Sequence, residues 1–249
     1  MYLLLMTVYI GTSGWSYDHW ESVLYLPSLP QRARLGVYTE HFGTVEVNSS
    51  FYHWPREATL INWRRTLPEG FRMTLKAPRA LTHSKRLYQP EGWIERIERG
   101  IALLGNRAGV LLIQLSPEFA YDYARLEYFL SVWPEGIRTA FEFRHPNWHR
   151  EETFRLLEAH GVAYCVMSGA GLPCALRTTA PFVYVRLHGP DREHMCAGSY
   201  SDDQLYWWAR RIREWQNMGK DVYVYFNNDG EGNAVRNAVS LRNIGLSLR

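Results

Sequence analysis

The sequence predicts an α/β fold, a (β/α)8 (TIM) barrel forming one domain over residues 1–249. Three observations carry that expectation. Short apolar runs alternate with amphipathic helical stretches, and the alternation recurs about eight times along the chain. Strands separated by helices argue for a parallel sheet, because parallel neighbours need crossover connections. The length, 249 residues, suits closure of such a sheet into one barrel. A doubly wound open sheet is the runner-up. It would show a glycine-rich phosphate turn after the first strand, and Gly11-Thr-Ser-Gly14 lacks the GxGxxG spacing.

Taken in order, Val8–Thr12 reads as the first strand. Leu35, Tyr38 and Phe42 then give helical spacing up to Gly43. Thr44–Asn48 is the second strand, with Val45 and Val47 on one face and Glu46 and Asn48 on the other. A loop over Ser49–Pro55 precedes a helix through Leu60, Ile61 and Trp63. Phe71–Lys76 is the third strand, followed by a long loop that contains Thr82-His83. Trp93, Ile94, Ile97, Ile101 and Leu104 form an amphipathic helix. Val110–Gln114 is the fourth strand, and Leu126, Phe129, Leu130 and Trp133 mark the next helix.

Arg138–Arg144 is the fifth strand and places Glu142 and Arg144 on one face. A helix through Phe154 and Leu157 leads to the sixth strand, Val162–Val166. Phe182–Leu187 is the seventh, a buried run that ends in charge: Tyr184, Arg186 and His188 share a face. Ser201 with Gln204 reads as a capping box for a helix buried through Leu205, Trp208, Ile212 and Trp215. Asp221–Phe226 is the eighth strand, and Ala234, Ala238 and Leu241 belong to a final helix.

Bulk composition narrows the classes. Hydrophobic residues make 46% of the chain, yet no apolar run approaches the roughly 18–20 residues of a membrane span. Met1–Met6 is too short for a signal peptide and lacks a basic start. A soluble protein of the cytoplasm is expected, with no membrane partner. The formal charge of +3 and pI of 8.7 suit an anionic small ligand and do not demand a nucleic acid. Three cysteines without a CxxC pair argue against disulfides and a cysteine zinc site.

In such a barrel, functional groups lie where strands end. Glu46, Glu142, Lys76 and His188 are the catalytic candidates. Trp15, Asn48, Tyr52, His83, Gln114, Arg144, Arg186, Asn227 and Asn228 are the candidates for substrate binding. Ionic groups here could merely satisfy one another, but so many polar strand ends close a core at a cost that usually marks a site. Cations balance acids in this set, whereas a metal site wants several carboxylates and histidines with few competing cations. No metal and no cofactor are therefore expected. The reading is an anionic ligand on Arg144 and Arg186, with Glu46 or Glu142 and His188 exchanging protons and Lys76 polarising a carbonyl. Trp15, Tyr17, Trp20, Phe51, Tyr52, Trp54 and Trp148 fall on loops, where they either roof the barrel by mutual packing or offer a stacking platform. Helix-borne Trp63, Trp93, Trp208 and Trp215 are expected in the core.

Several stretches also resemble the YecE-like family, a bacterial and archaeal domain of unknown function (72). They are Gly11–Tyr17, Glu46–Tyr52, Lys76-Ala-Pro78 with Thr82-His83, Glu142-Phe-Arg-His145 with Trp148, Val185–Gly189 and Tyr225–Asp229, spread over about Val8 to Leu241. The resemblance implies a TIM barrel, similar in outline to xylose isomerase and endonuclease IV, and delivers no reaction; whether the protein is an enzyme stays open, an isomerase, lyase or hydrolase being the kinds in view. Both of those barrels use metals on carboxylates and histidines. Met167–Gly171 has no acid where many relatives would carry one. Two other functions stay open: a nucleic-acid-binding or phosphodiester-processing protein, and a metabolite-binding barrel without catalysis. The oligomeric state is not legible.

Overall fold

Strand Phe182–Leu187 is buried along its whole length. A run of Phe, Val and Tyr fits a position covered on both faces, the situation of a strand in a parallel sheet. The structure is a computed structural model that describes residues 6–247, so the opening Met1–Leu5 lies outside the described residues. In chain order the elements are β1 (Val8–Thr12), α1 (Gln31–His41), β2 (Thr44–Val47), α2 (Ser49–Tyr52) and α3 (Glu57–Thr66). Next come β3 (Arg72–Lys76), α4 (Glu91–Leu104), β4 (Ala108–Gln114), α5 (Tyr123–Ser131), β5 (Thr139–Glu142) and α6 (Glu151–Ala159). The last are β6 (Ala163–Ser168), β7 (Phe182–Leu187), α7 (Asp202–Asn217), β8 (Asp221–Phe226) and α8 (Asn233–Ser247). The strands form one eight-stranded sheet in the order β1-β8-β7-β6-β5-β4-β3-β2. Strands alternating with helices in that order are the (β/α)8 barrel class.

The chain divides into two compact units. The first holds the residues up to Val45, Val166–Leu176, and those from Pro181 on; the second holds Glu46–Cys165 and Arg177–Ala180. In the first unit β8 pairs in parallel with β1, from Val8↔Val222 to Thr12↔Phe226, and with β7, from Phe182↔Asp221 to Leu187↔Phe226. Leu205, Trp208, Ile212 and Trp215 bury one stripe of α7, as their spacing requires. The capping box is present. Ser201 Oγ accepts from Gln204 N–H at 3.3 Å, and Gln204 Oε1 accepts from Ser201 N–H at 2.9 Å.

In the second unit β3 pairs with β4, β4 with β5 and β5 with β6. Odd-numbered residues of β5 face the helices. Phe141 meets Phe129 of α5 edge-on at 5.8 Å and stacks on Phe143 at 5.6 Å, and Phe143 stacks on Trp148 at 5.0 Å. Trp148 is fully buried, and its Nε1 donates to Phe119 O at 2.6 Å. Period-two alternation sends Ala140 and Glu142 to the opposite face.

Four local expectations need correction. Trp63 and Trp93 are half-buried, not core. Leu60 is the one residue α3 buries, which leaves Trp63 on the flank; Trp93 lies at a rim where Arg96 covers its ring at 5.3 Å. The loop after β2 opens with the helical turn α2, tied down by Ser50, whose Oγ accepts from Lys76 N–H at 2.9 Å and donates to Val47 O at 2.7 Å. The Thr82-His83 stretch is also helical, over Ala80–Ser84, because Pro78 O accepts from both Leu81 N–H and Thr82 N–H. Of the loop aromatics, Trp20, Trp148, Phe51 and Trp54 are buried, while Tyr52 is 71% exposed. Among the described residues no helix is long and apolar enough to cross a membrane.

Replacing Ser201 by Ala removes the acceptor for one otherwise unpaired amide of α7. It is expected to lower stability by about 1 kcal/mol in urea unfolding, with an unchanged m-value.

Candidate active site

The second unit gathers its polar strand ends at the carboxyl ends of β2 to β5. Gln114 of β4 is in register with Glu142 of β5, and Lys76 of β3 with Leu112 two residues before Gln114. Alternation therefore puts Lys76, Gln114 and Glu142 on one face. Glu142 has no solvent exposure. Arg144 Nε donates to Glu142 Oε1, and Cys165 Sγ lies 3.8 Å from Oε2. Removing a carboxylate from water is costly unless it is paired and hydrogen-bonded, and Arg144 supplies that pairing while 14% of its own side chain stays exposed.

Lys76 is 9% exposed, and its Nζ sits 4.4 Å from the centroid of Phe51. The ring face gives the ammonium a favourable cation–π contact. Phe51 also meets His83 edge-on at 4.9 Å, and His83 Nδ1 lies 2.9 Å from Thr82 Oγ1. Burial, helped by the positive charges of Lys76, Arg79 and Arg144 and opposed by Glu118, holds the His83 imidazole below its ordinary value. The ring is therefore neutral at neutral pH and able to accept a proton. Glu46 is fully buried at the end of β2. Asn48, next along, has an Oδ1 that is buried and makes no hydrogen bond among the described residues. Tyr52 projects into solvent with its ring edge-on to Phe51.

The first unit holds the remaining candidates. Arg186 and His188, at the end of β7, are each 1% exposed. Asn227 Nδ2 donates to His188 Nδ1 at 3.0 Å and to Cys196 Sγ at 3.2 Å. Asn228 is wholly buried, and its Nδ2 donates to Gly198 O at 2.9 Å and Asn237 Oδ1 at 2.8 Å, a bracing arrangement for the loop before α7. Trp15 is half-buried, and its carbonyl accepts from Tyr25 Oη. Tyr200 Oη accepts from Gly189 N–H at 3.0 Å and donates to Ser168 Oγ at 3.1 Å; burial pushes this phenol up to about 12, so it stays neutral. Asp229, raised by burial, is held by Trp20 Nε1 at 2.7 Å and His19 Nε2 at 3.0 Å.

Cys165 beside Glu142 and Cys196 beside His188 were not legible as site residues, and Phe51, read as a loop aromatic, was not legible as the ring under Lys76. Each reaches its partner through tertiary packing. Among the described residues no group of three or more His, Cys, Asp or Glu side chains is gathered closely enough to hold a metal ion.

Eight strands joined by helices except between β6 and β7, with acids and cations set at strand ends, define a (β/α)8-barrel protein with polar strand termini. The chain belongs to the family described as "Protein of unknown function DUF72", whose profile matches residues 9–245. The UPF0759 protein YunF of Bacillus subtilis is 29% identical over 261 residues, covering 92% of each chain. The UPF0759 protein YecE of Escherichia coli K12 is 28% identical over 147 residues, 57% of this chain and 50% of that one. A crystal structure of a DUF72 family protein from Thermotoga maritima superposes with a TM-score of 0.86 at 30% identity, covering 96% of this chain and 98% of the other. A DUF72 family protein from Enterococcus faecalis, 18% identical with 96% of each chain covered, shares the fold with a TM-score of 0.84.

Two outcomes follow from this geometry. Arg144→Met removes the guanidinium that donates to buried Glu142 and is expected to cost about 3 kcal/mol at neutral pH, measured by chemical denaturation. His83 binds a proton less readily folded than unfolded, so between its folded value and about 6.5 the unfolded chain carries more protons and stability rises with pH. The contribution is fully present above that window and lost as pH falls through the folded value. The stability difference between wild type and His83→Gln, followed from about pH 5 to about pH 8, is expected to grow with pH and then level off. A flat difference would contradict the depressed value.

Proposed function

We propose that this protein is an enzyme that performs acid–base chemistry on a small anionic, sugar-like substrate, at the strand ends of the second unit. The observation that carries the reading is the ionised-pair chemistry at β5: Glu142, without solvent exposure, is held by a guanidinium that is itself partly exposed. A buried carboxylate fixed in this way is pre-positioned to take or return a proton. Its guanidinium partner is the natural recogniser of a phosphate or carboxylate.

Lys76 would polarise a carbonyl oxygen, its ammonium resting against the face of Phe51 at the end of β3. Glu46 would be the second proton carrier. Asn48 Oδ1, a buried acceptor without a hydrogen bond among the described residues, suits a hydroxyl of the substrate, because leaving it unmet costs roughly 1–3 kcal/mol. Neutral His83 would hydrogen-bond the same ligand. Hydroxyls for Asn48 and an anionic group for Arg144 together describe a phosphorylated or carboxylated sugar. The reaction would be of the isomerase, lyase or hydrolase kind.

The test is a thermal-shift and calorimetric panel of aldose and ketose phosphates, sugar acids and their neutral counterparts. Anionic sugars are expected to bind and, at 100 times their Kd, to stabilise the fold by about 2.7 kcal/mol. Arg144→Gln should abolish the preference for the anionic member of each pair. Equal binding of neutral and anionic sugars would overturn the reading, and so would stabilisation by divalent cations alone.

A further inference from the structure

The first unit carries a nucleophile that this reading does not use. Leu187 and Phe226 are in register at the ends of β7 and β8, so the next residues, His188 and Asn227, are neighbours. The loop after His188 returns and sets Cys196 beside them. Asn227 Nδ2 lies 3.0 Å from His188 Nδ1 and 3.2 Å from Cys196 Sγ, and Sγ is 3.8 Å from Nδ1. Three side chains thus form one triangle of thiol, imidazole and amide.

The chain is shaped to allow this approach. Gly189 adopts φ +101°, and a Cβ there would stand 2.1 Å from Ala197 O. A Cβ on Gly169 would stand 2.7 Å from His188 Cβ and 3.3 Å from Met195 Sδ. Both glycines make room for the Met195-Cys-Ala197 turn to close over the histidine. Cys196 itself has φ +65°, a conformation that costs a non-glycine residue about 1 kcal/mol or more.

We propose that Cys196 is a nucleophilic thiol, with His188 as its base and Asn227 as the donor to its sulfur, and that it takes small, soft carbon electrophiles of the α,β-unsaturated carbonyl type. The Cys196 thiol proton passes to His188 Nδ1. As it does, the Asn227 amide loses its bond to Nδ1 and keeps the one to Sγ, which strengthens as the sulfur becomes anionic. The sulfur lone pair forms a bond to the β-carbon, the carbon–carbon π pair moves to the α-carbon, and His188 returns the proton there. Atoms and charge balance without an oxidant or a leaving group. Sulfur is the atom suited to the step, being polarisable and reactive as the thiolate. Cys196 is half-buried. Nothing in this inference draws on Glu142 or Arg144.

The full chain is treated with limiting N-ethylmaleimide, and adducts at Cys165, Cys174 and Cys196 are followed by peptide mass mapping. Exposure alone favours Cys174, which is exposed while Cys196 is not fully so. Activation reverses the order: Cys196 is expected to react at least about tenfold faster than Cys174. His188→Gln and Asn227→Ala should each slow Cys196 by about tenfold or more and leave the Cys174 rate unchanged. Melting curves check that each variant is folded, and Asn227→Ala decides the matter if His188→Gln does not fold. Faster labelling of Cys174, or a Cys196 rate indifferent to the folded variants, would overturn the proposal.

Discussion

A carboxylate with no access to water has to be answered by a charge, and in the second unit that requirement fixes much else. Glu142 ends β5 on the face opposite the Phe141–Phe143–Trp148 stack, so it cannot turn toward the helices without displacing aromatic packing. Arg144, two residues on, closes back on it. The pair therefore sets where the chain leaves β5. The neighbouring ammonium, Lys76, lies against the face of Phe51. The same strand ends thus bring acid, guanidinium, ammonium and imidazole together, and burial, helped by the neighbouring positive charges, holds the His83 imidazole below its ordinary value.

The first unit solves a similar problem with hydrogen bonds more than charges. Asn227, Asn228, Tyr200 and Ser168 tie the loop between β7 and α7 to the strand ends. Gly189 lets the backbone pass where any side chain would collide. What this produces locally is a thiol held against an imidazole, an arrangement of chemical consequence that emerges from loop closure and not from a motif.

Strand and helix identities were legible because they rest on local grammar. Phe182–Leu187 and Asp221–Phe226 form strands over the very residues their apolar runs mark, and the Ser201–Gln204 capping box is present. Polar strand ends were legible for the same reason, since a period of two fixes which side of a strand Glu142 or Arg186 occupies. Their company was not. That Lys76 would rest on Phe51, that Thr82-His83 would lie in a helical turn, and that Cys196 would fold back onto His188 depends on how loops close, which spacing does not encode. Asn228 was expected to meet substrate; its Nδ2 donates to Gly198 O and Asn237 Oδ1, while its buried Oδ1 makes no hydrogen bond among the described residues. Trp63 and Trp93 show the limit of helical periodicity, for a large ring at the edge of an apolar stripe is covered on one side only.

The central claim is that the acids and cations at the strand ends of the second unit, being balanced, receive an anion and not a metal ion. Anomalous diffraction from crystals soaked separately in tungstate and in manganese tests it most directly. The account requires a tungsten peak within hydrogen-bonding distance of the Arg144 guanidinium or Lys76 Nζ and no manganese on Glu46 or Glu142. Manganese ligated by either carboxylate, with no tungstate near Arg144, would contradict it.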